Sequence, residues 1–556
     1  MSSEDSETFD FVIVGAGSAG CVLANRLSED GKKSVLLLEY GGSDRSIFIQ
    51  MPAALSIPMN NPRYEWGFRT EPEPYLNNRV LRTPRGKVLG GSSSINGLVY
   101  VRGNPLDFDR WQEEGAAGWA YRDVLPYFKR AETRAEGGDL YRGDSGPLKT
   151  RSGRLANPLY QAFVKAGNEA GYPISSDLNG YQQEGFGRLD MTVDKGRRSS
   201  AARAYLRPAL RRPNLSVKTG ALATRIVFDG RRAVGVAYRQ GGAETIVHAR
   251  REVILCGGPI NSPQLLKLSG VGPAEELRAF GIPVVADRAG VGENLQDHLE
   301  FYFQVESRQP ITLYSYTGLL ARSRIGAIWY FLSTGLGASN HFETGGFIRS
   351  RAGVQYPDLQ YHFLPLAVSY DGKALATLHG FQAHVGPMRS KSRGRVKLRS
   401  TDLADMPRIL FNYMSHDDDW TEMRAALRLT REIFAQPAFD AYRGREMQPG
   451  PDVTIDAAID AFIRDRVESA YHPSCSCRMG PGDDPLAVVD SAARVIGVEG
   501  LRVVDSSIMP SITTGNLNAP TIMIAEKAAD HILGRPLLPP VDAPVYVAPS
   551  WQTAQR

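Results

Sequence analysis

The chain has 556 residues, of which 42% are hydrophobic and 22% charged, and a formal net charge of +5. That length exceeds one average domain and predicts at least two lobes with cores of their own. So small a positive excess, with basic residues only in short clusters at Arg197-Arg198 and from Arg207 to Arg212, argues against a nucleic-acid partner.

The N-terminal stretch Met1-Ser-Ser-Glu-Asp-Ser-Glu7 is acidic and polar, unlike a secretory signal. No window reaches the roughly 20 apolar residues of a spanning helix. A cytoplasmic chain is expected, with peripheral contact to an inner membrane left open. The nearest apolar run, Ile325 to Leu332, reads as a core segment, with contact to a membrane surface as the alternative. Cys21, Cys256, Cys475 and Cys477 fit a reducing compartment rather than a disulfide framework. The pair Cys475-x-Cys477 is too small a ligand set for a metal site, so none is expected.

Next in chain order is Phe11-Val-Ile-Val-Gly15-Ala-Gly17-Ser18-Ala19-Gly20, followed by a helical segment to Leu27 and by Leu36-Leu-Leu-Glu39. This is a βαβ unit with a dinucleotide fingerprint. Gly15 permits the tight turn, Gly17 lets the backbone approach a pyrophosphate, and Gly20 allows close packing of helix on strand. The helix N-terminus offers free N–H groups to phosphate, and Glu39 can accept bonds from ribose hydroxyls. Arg85-Gly-Lys-Val88-Leu-Gly-Gly91-Ser92-Ser-Ser-Ile-Asn96 supplies a second loop of small residues, suited to a planar ligand.

Asn214 to Tyr238 reads as strands around an Asp229-Gly230 turn, and Glu252 to Gly258 as a buried strand ending at glycines. A second lobe follows, including a helix from Trp420 to Phe434 that ends before Pro437. Gly500-Leu-Arg-Val-Val-Asp505 again pairs an apolar strand with a terminal acid, and the proline-rich segment from Pro536 to Pro549 reads as extended or flexible. A nucleotide lobe built from both ends of a chain, with a substrate lobe inserted, suits FAD better than NAD. No separate NAD fingerprint is seen, so reduced flavin would discharge to another acceptor.

Two longer motifs carry a family resemblance. Gly86 to Gly97 and Gly258-Pro-Ile-Asn-Ser-Pro-Gln-Leu-Leu-Lys-Leu-Ser-Gly-Val-Gly272 resemble the signatures of the glucose-methanol-choline (GMC) flavoprotein oxidoreductases. The runs Gln50 to Leu55, Asp177 to Phe186, Gly337 to Phe342, Tyr361 to Pro365 and Phe411 to Asp417 are similar to the choline-oxidising dehydrogenases of bacteria within that family. The implied fold class is α/β, α+β overall. A discontinuous Rossmann-like FAD-binding domain (1–160, 190–305 and 466–540) would accompany a substrate domain on an antiparallel sheet with helices (161–189 and 306–465), with a tail at 541–556.

The resemblance implies FAD contacts at Gly15, Gly17, Ser18, Ala19, Gly20, Glu39, Val88, Gly91, Ser92, Asn96 and Gly97. It implies others at Ala223, Gly257, Asp505, Asn516, Pro520 and Thr521. Ile95 stands where some relatives carry a histidine bonded to the flavin, so the cofactor is expected to be non-covalent.

His472, in Ser469-Ala-Tyr-His-Pro473, is the expected catalytic base, because alcohol oxidation needs the hydroxyl proton removed as hydride leaves the carbon. Asn518 resembles the second member of the family's His-Asn pair and would orient the substrate oxygen. His248, His379, His384, His416 and His531 are read as structural.

Trp66, Tyr471 and Glu300 resemble residues that hold a quaternary ammonium by aromatic faces and a carboxylate, and His362 a further substrate contact. Leu313 to Arg322 departs from the tryptophan-rich segment of such relatives. Leu319 and Leu320 would then form a substrate wall lacking an aromatic face, unless Tyr314 or Tyr316 compensates. The expected reaction is choline to betaine aldehyde, and onward to glycine betaine, by hydride transfer to flavin N5. An uncharged primary alcohol is the alternative substrate, and a redox-neutral lyase the alternative of another class. The partners are a small alcohol and an electron acceptor, a quinone or oxygen; oligomeric state is left open.

Overall fold

Thr8–Val14 and Val35–Glu39 contain the unbroken apolar runs 11–14 and 35–38, the pattern of parallel strands covered on both faces. In the computed structural model, which describes residues 7–369 and 378–556, they lie side by side in parallel. Most of the stretch read as lacking a secretion signal, Met1 to Ser6, falls outside the described residues. The sheet they form has the order Leu215–Thr219, Val35–Glu39, Thr8–Val14, Ala243–Leu255, Arg232–Gln240, Leu222–Asp229.

Ala243–Leu255 is long enough to be shared. Its first half pairs antiparallel with Arg232–Gln240, and its end pairs in parallel with Leu501–Val503. The C-terminal part of the chain thereby enters a sheet begun at Thr8. The helices Ser18–Leu27 and Asn518–Leu533 lie together on this sheet, tied by Arg26, whose Nε and Nη2 donate to the buried Glu526 carboxylate at 3.0 and 2.8 Å.

A second seven-stranded sheet is antiparallel throughout. Its order is Arg443–Gln448, Leu299–Ser307, Gly380–Pro387, Leu359–Leu364, Thr344–Ile348, Gly185–Arg188, and Glu468–Ser469 also pairs with Leu299–Ser307. The helices Pro158–Glu169 and Asp417–Phe434 cover one face, where Phe163, Phe363, Phe381, Phe434 and Phe439 pack ring on ring.

Sheet membership moves two of the expected boundaries. Leu299–Ser307 lies wholly in the antiparallel sheet, so the nucleotide lobe gives way near His298 rather than at 305. Phe68, Leu76 and Leu81 pack into the second core although they precede residue 160.

Two other segments also differ from their sequence reading. The proline-rich tail is extended but pinned, with the Val541 N–H on the Arg122 carbonyl and the Tyr141 hydroxyl on that of Pro544. Ile325 to Leu332 is not a core segment. It belongs to the helix Leu319–Leu332, in which Trp329 is the one buried residue.

Candidate active site

Between the two sheets lies a cavity of about 800 Å³, within the range of natural ligand sites. One end is built of backbone. Gly15 has φ +100°, and a Cβ there would sit 2.5 Å from the Cys256 carbonyl oxygen. A Cβ on Gly91 would lie 2.7 Å from the Gly17 Cα. Helix Ser18–Leu27 has no side-chain cap at Gly17, leaving its first N–H groups to the cavity.

Glu39 closes this end: its Oε2 accepts the Ala16 N–H at 2.9 Å, its Oε1 accepts the Gly41 N–H at 2.7 Å, and burial pushes its carboxyl up to about 7. Asp505 does the same for the strand that follows Gly500, accepting from Gly258 N–H at 2.8 Å and Ser262 Oγ at 2.7 Å. A cradle of glycines, a bare helix end and two aimed carboxylates fit the adenosine diphosphate half of a dinucleotide.

Gly15, Gly17, Ser18, Ala19 and Glu39 all line the cavity. So do Gly91, Ser92, Asn96, Gly97, Ala223, Gly257, Asp505, Asn516 and Thr521. Three expected contacts do not. Gly20 is packed behind the turn, where a Cβ would meet the Gly15 carbonyl at 1.9 Å; Val88 is buried beside Ile49, Tyr64 and Ile95; Pro520 lies inside the helix Asn518–Leu533.

The other end of the cavity is built of side chains. His472 Nδ1 lies 3.0 Å from His298 Nδ1, and His298 Nε2 lies 3.0 Å from the Met388 carbonyl. A carbonyl only accepts, so His298 carries its proton on Nε2 and presents a lone pair at Nδ1. His472 must then donate from Nδ1, which leaves its Nε2 unprotonated toward the cavity. The Asn516 amide donates to that nitrogen at 2.9 Å, its own oxygen accepting from Gln360 Nε2 at 3.2 Å.

Burial holds His472 well below the usual histidine range and brings His298 and His362 down to about 4, so all three are neutral near pH 7. Asp297 fixes the loop beneath them. It accepts the His472 N–H at 2.6 Å, the Tyr413 hydroxyl at 2.6 Å and the Ser469 hydroxyl at 2.5 Å.

The neighbour of His472 is therefore Asn516, not Asn518. Asn518 opens a helix and turns the other way, accepting from Ser18 Oγ at 2.7 Å. Gly515, at φ +124°, bends the chain so that Asn516 rather than Asn518 reaches the histidine. His298 was missed although it stands two residues before Glu300. Its signal is weak, since a histidine beside an acid has no fixed meaning until a second histidine faces it.

Trp66, Glu300, His362 and Tyr471 also line the cavity. Trp66 stacks on Phe68 and leans on Tyr40, with centroids 5.7 and 5.3 Å away. Glu300 Oε1 accepts from His384 Nδ1 at 3.1 Å, and the His384 ring lies 3.9 Å from that of Tyr302 and 5.3 Å from that of Phe342. His384 thus belongs to the cavity wall, against its structural reading.

Leu319 and Leu320 do not line the cavity; they point into solvent. The wall in that region comes from Leu313, Tyr316, Arg322 and Ile325, so of the two tyrosines offered in place of the leucines Tyr316 lines the cavity, and Tyr302 and Phe342 add further aromatic side chains to the lining.

A nucleotide cradle at one end and a neutral histidine pair at the other, in one cavity, is an arrangement for redox chemistry on a small molecule. Comparison with known proteins agrees: the two GMC oxidoreductase family profiles match residues 9–300 and 390–525. The chain belongs to the GMC oxidoreductase family. It is accordingly an FAD-dependent oxidoreductase.

It is 60% identical over 547 residues to the oxygen-dependent choline dehydrogenase of Brucella anthropi, covering 98% of this chain and 100% of that one. With the protein of the same description from Photobacterium profundum, identity is 56% over 551 residues, covering 99% and 97%. Among solved structures, pyridoxine 4-oxidase from Mesorbium loti superposes with a TM-score of 0.86 at 31% identity, covering 95% of this chain and 99% of that one. Formate oxidase from Aspergillus oryzae gives 0.90 at 26%, covering 96% and 99%. The family profiles reach across both ends of the cavity, from the Gly15 turn to the Asn516 loop.

Proposed function

We propose that this GMC oxidoreductase oxidises choline to betaine aldehyde, with His472 as base. The single observation that carries the base assignment is the tautomer chain Met388–His298–His472, which leaves His472 Nε2 unprotonated, an acceptor that faces the Asn516 amide. Bound FAD supplies the hydride acceptor at flavin N5. The substrate hydroxyl takes the place of the Asn516 amide on His472 Nε2, which accepts its proton, and the displaced Asn516 N–H turns to the substrate oxygen and steadies the negative charge growing there. The imidazolium formed is held through its Nδ1–H by the His298 lone pair, while Asp297 keeps the loop in place.

A quaternary ammonium has no hydrogen to donate, so a carboxylate and aromatic faces are its means of recognition. Glu300, in a cavity also lined by Tyr302, Phe342, Trp66 and Tyr471, supports that substrate class, and so do the names of the relatives. The aldehyde hydrate again offers a hydroxyl to His472, so the same residues serve a second oxidation to glycine betaine. Ile95 lines the cavity with an unreactive side chain, which supports a non-covalent flavin. Oxygen or a quinone takes the electrons. A quinone dissolves in lipid, so its use requires the cavity mouth to reach a bilayer, whereas oxygen sets no such condition.

The test is turnover of choline against its neutral isostere 3,3-dimethylbutanol, in the wild type and in Glu300→Gln. Wild type should prefer choline, and Glu300→Gln should raise KM for choline about 10-fold or more while leaving the neutral alcohol within about 3-fold, the loss of one ion contact. A wild-type preference for dimethylbutanol sinks the choline reading. Flavin that stays oxidised on anaerobic mixing, while product forms, would make the protein a lyase.

A further inference from the structure

The antiparallel sheet turns an apolar face to its helices and a polar face to the cavity. Along Leu299–Ser307 the side chains of Phe301, Phe303 and Val305 enter the core, so Glu300, Tyr302 and Gln304 stand on the opposite face. Gly380–Pro387 alternates likewise, with Phe381, Ala383 and Val385 in the core and Gln382 and His384 opposite. The register sets Tyr302 beside His384 and Gln304 beside Gln382. Glu300, Tyr302 and His384 line the cavity, whereas the two glutamines lie one pair further along and are buried.

The backbone of one residue, Val368, fixes the polarity of this row. Its carbonyl only accepts, so Gln304 Nε2, 3.0 Å away, is the amide nitrogen, and it donates a second bond to Gln382 Oε1 at 2.7 Å. The Val368 N–H only donates, and it too reaches Gln382 Oε1, at 2.8 Å. Gln382 therefore turns its oxygen to Gln304 and its nitrogen to His384 Nε2, 2.7 Å away. That imidazole nitrogen must accept. The ring hydrogen is then on Nδ1, which donates to Glu300 Oε1 at 3.1 Å. A second ring hydrogen, at Nε2, would meet the Gln382 N–H head on, so the row accommodates the neutral ring.

A quaternary ammonium has no hydrogen to share, so it cannot orient a carboxylate by a directional bond. Orientation has to be built into the protein beforehand. A charged imidazole would offset the carboxylate and repel a cation, while a neutral one donates to the carboxylate and leaves its charge in place. The plane of the ring is set by Tyr302, with centroids 3.9 Å apart, and by Phe342, which meets it edge-on at 5.3 Å. We infer that His384 is a positioning residue that holds the Glu300 carboxylate for the ammonium group and so sets the preference for a cationic over a neutral alcohol. This role rests on the reading of Glu300 as the ammonium's partner, and adds to it the group that makes the carboxylate selective.

The readout is the ratio of kcat/KM for choline to that for 3,3-dimethylbutanol on the flavin-loaded protein, from which any loss of folded enzyme cancels. His384→Ala removes the donor, and His384→Gln carries an amide that replaces Nε2 but not Nδ1. Each should lower the ratio about 10-fold, the loss of one hydrogen bond to a charged group, and should do so through KM for choline rather than kcat. His384→Asn places an amide N–H near the position of Nδ1 and should keep the ratio within about 3-fold of wild type. In a Glu300→Gln background, His384→Ala should lower the ratio by less than a further factor of about 2, because its effect passes through the carboxylate.

An unchanged ratio in His384→Ala and His384→Gln overturns the inference. So does an equal loss in His384→Asn and His384→Ala, which would make the bulk of the ring and not its N–H the active feature. A full 10-fold loss in the Glu300→Gln background overturns it as well, since His384 would then act on the substrate without Glu300. In all three cases a wild-type preference for choline leaves the choline reading standing. A wild-type preference for dimethylbutanol removes that reading first, and the role of His384 with it.

Discussion

The two ends of the cavity are built by opposite means. At the glycine end most of the groups that matter are set by a turn at Gly15, a helix start at Ser18 and a strand ending in Glu39, close together in the chain, with Gly91 and Asp505 joining from elsewhere. At the histidine end they are the side chains of His298, His362, His472 and Asn516, with the Met388 carbonyl, from five separate segments. A backbone cradle tolerates no added atom, while a side-chain cluster survives substitution and loses chemistry instead. The first end should therefore fail by losing cofactor and the second by losing rate.

The largest effect expected is at Gly15. Gly15→Ala places a Cβ 2.5 Å from a carbonyl oxygen at φ +100°, so the purified protein should carry little or no flavin, read from its visible absorbance. A variant that retains full flavin and merely turns over slowly would erase the contrast. At the other end, His472→Ala should keep its flavin and lose about 10²- to 10⁴-fold in kcat/KM, the usual contribution of a positioned base.

A finer test sets two neighbouring asparagines against each other. Asn516→Ala should lower kcat by about 10-fold or more, one hydrogen bond to a developing charge, with flavin retained. Asn518→Ala should change kcat by less than about 3-fold and act, if at all, through Ser18 and flavin retention. Equal losses of kcat in both would remove the distinction drawn from the structure.

The smallest effect is a pH dependence with opposite signs at the two ends. His298 and His362 are held down to about 4 by burial, so the unfolded chain takes up their protons near pH 6.5 while the folded chain does not. Their stabilising contribution is complete above pH 6.5 and is lost as pH falls toward 4, by up to about 1.4 kcal/mol per pH unit for each histidine. Glu39, pushed up to about 7, runs the other way: its burial penalty is absent below pH 4.5 and grows as pH rises toward 7. Tm measured from pH 7 down to 5 should fall less steeply in His298→Gln than in the wild type; parallel slopes would show that His298 does not titrate as its burial dictates.

The same contrast explains what could be read in advance. Gly15, Gly17 and Glu39 were legible because each acts through its own backbone or at the end of its own strand, at spacings that chain geometry dictates. Gly20 was legible too, though as packing rather than contact. Val88 and Pro520 were not, because a motif says which residues travel together and not which of them face the ligand. Asn516 and Asn518 differ by two positions in one motif, and only the bend at Gly515 and the helix start at Asn518 separate their directions.

The apolar run Ile325 to Leu332 shows the limit most clearly, since composition reports that a segment is apolar but not whether anything covers it. By itself the sequence determined a dinucleotide cradle, a lobe assembled from both chain ends, and a histidine suited to proton abstraction, because these follow from local geometry and residue chemistry. Only the tertiary structure decided which nitrogen of His472 is bare, which asparagine meets it, and which leucines face water. Those depend on contacts between segments far apart in the chain, and no local pattern encodes a neighbour that arrives from elsewhere.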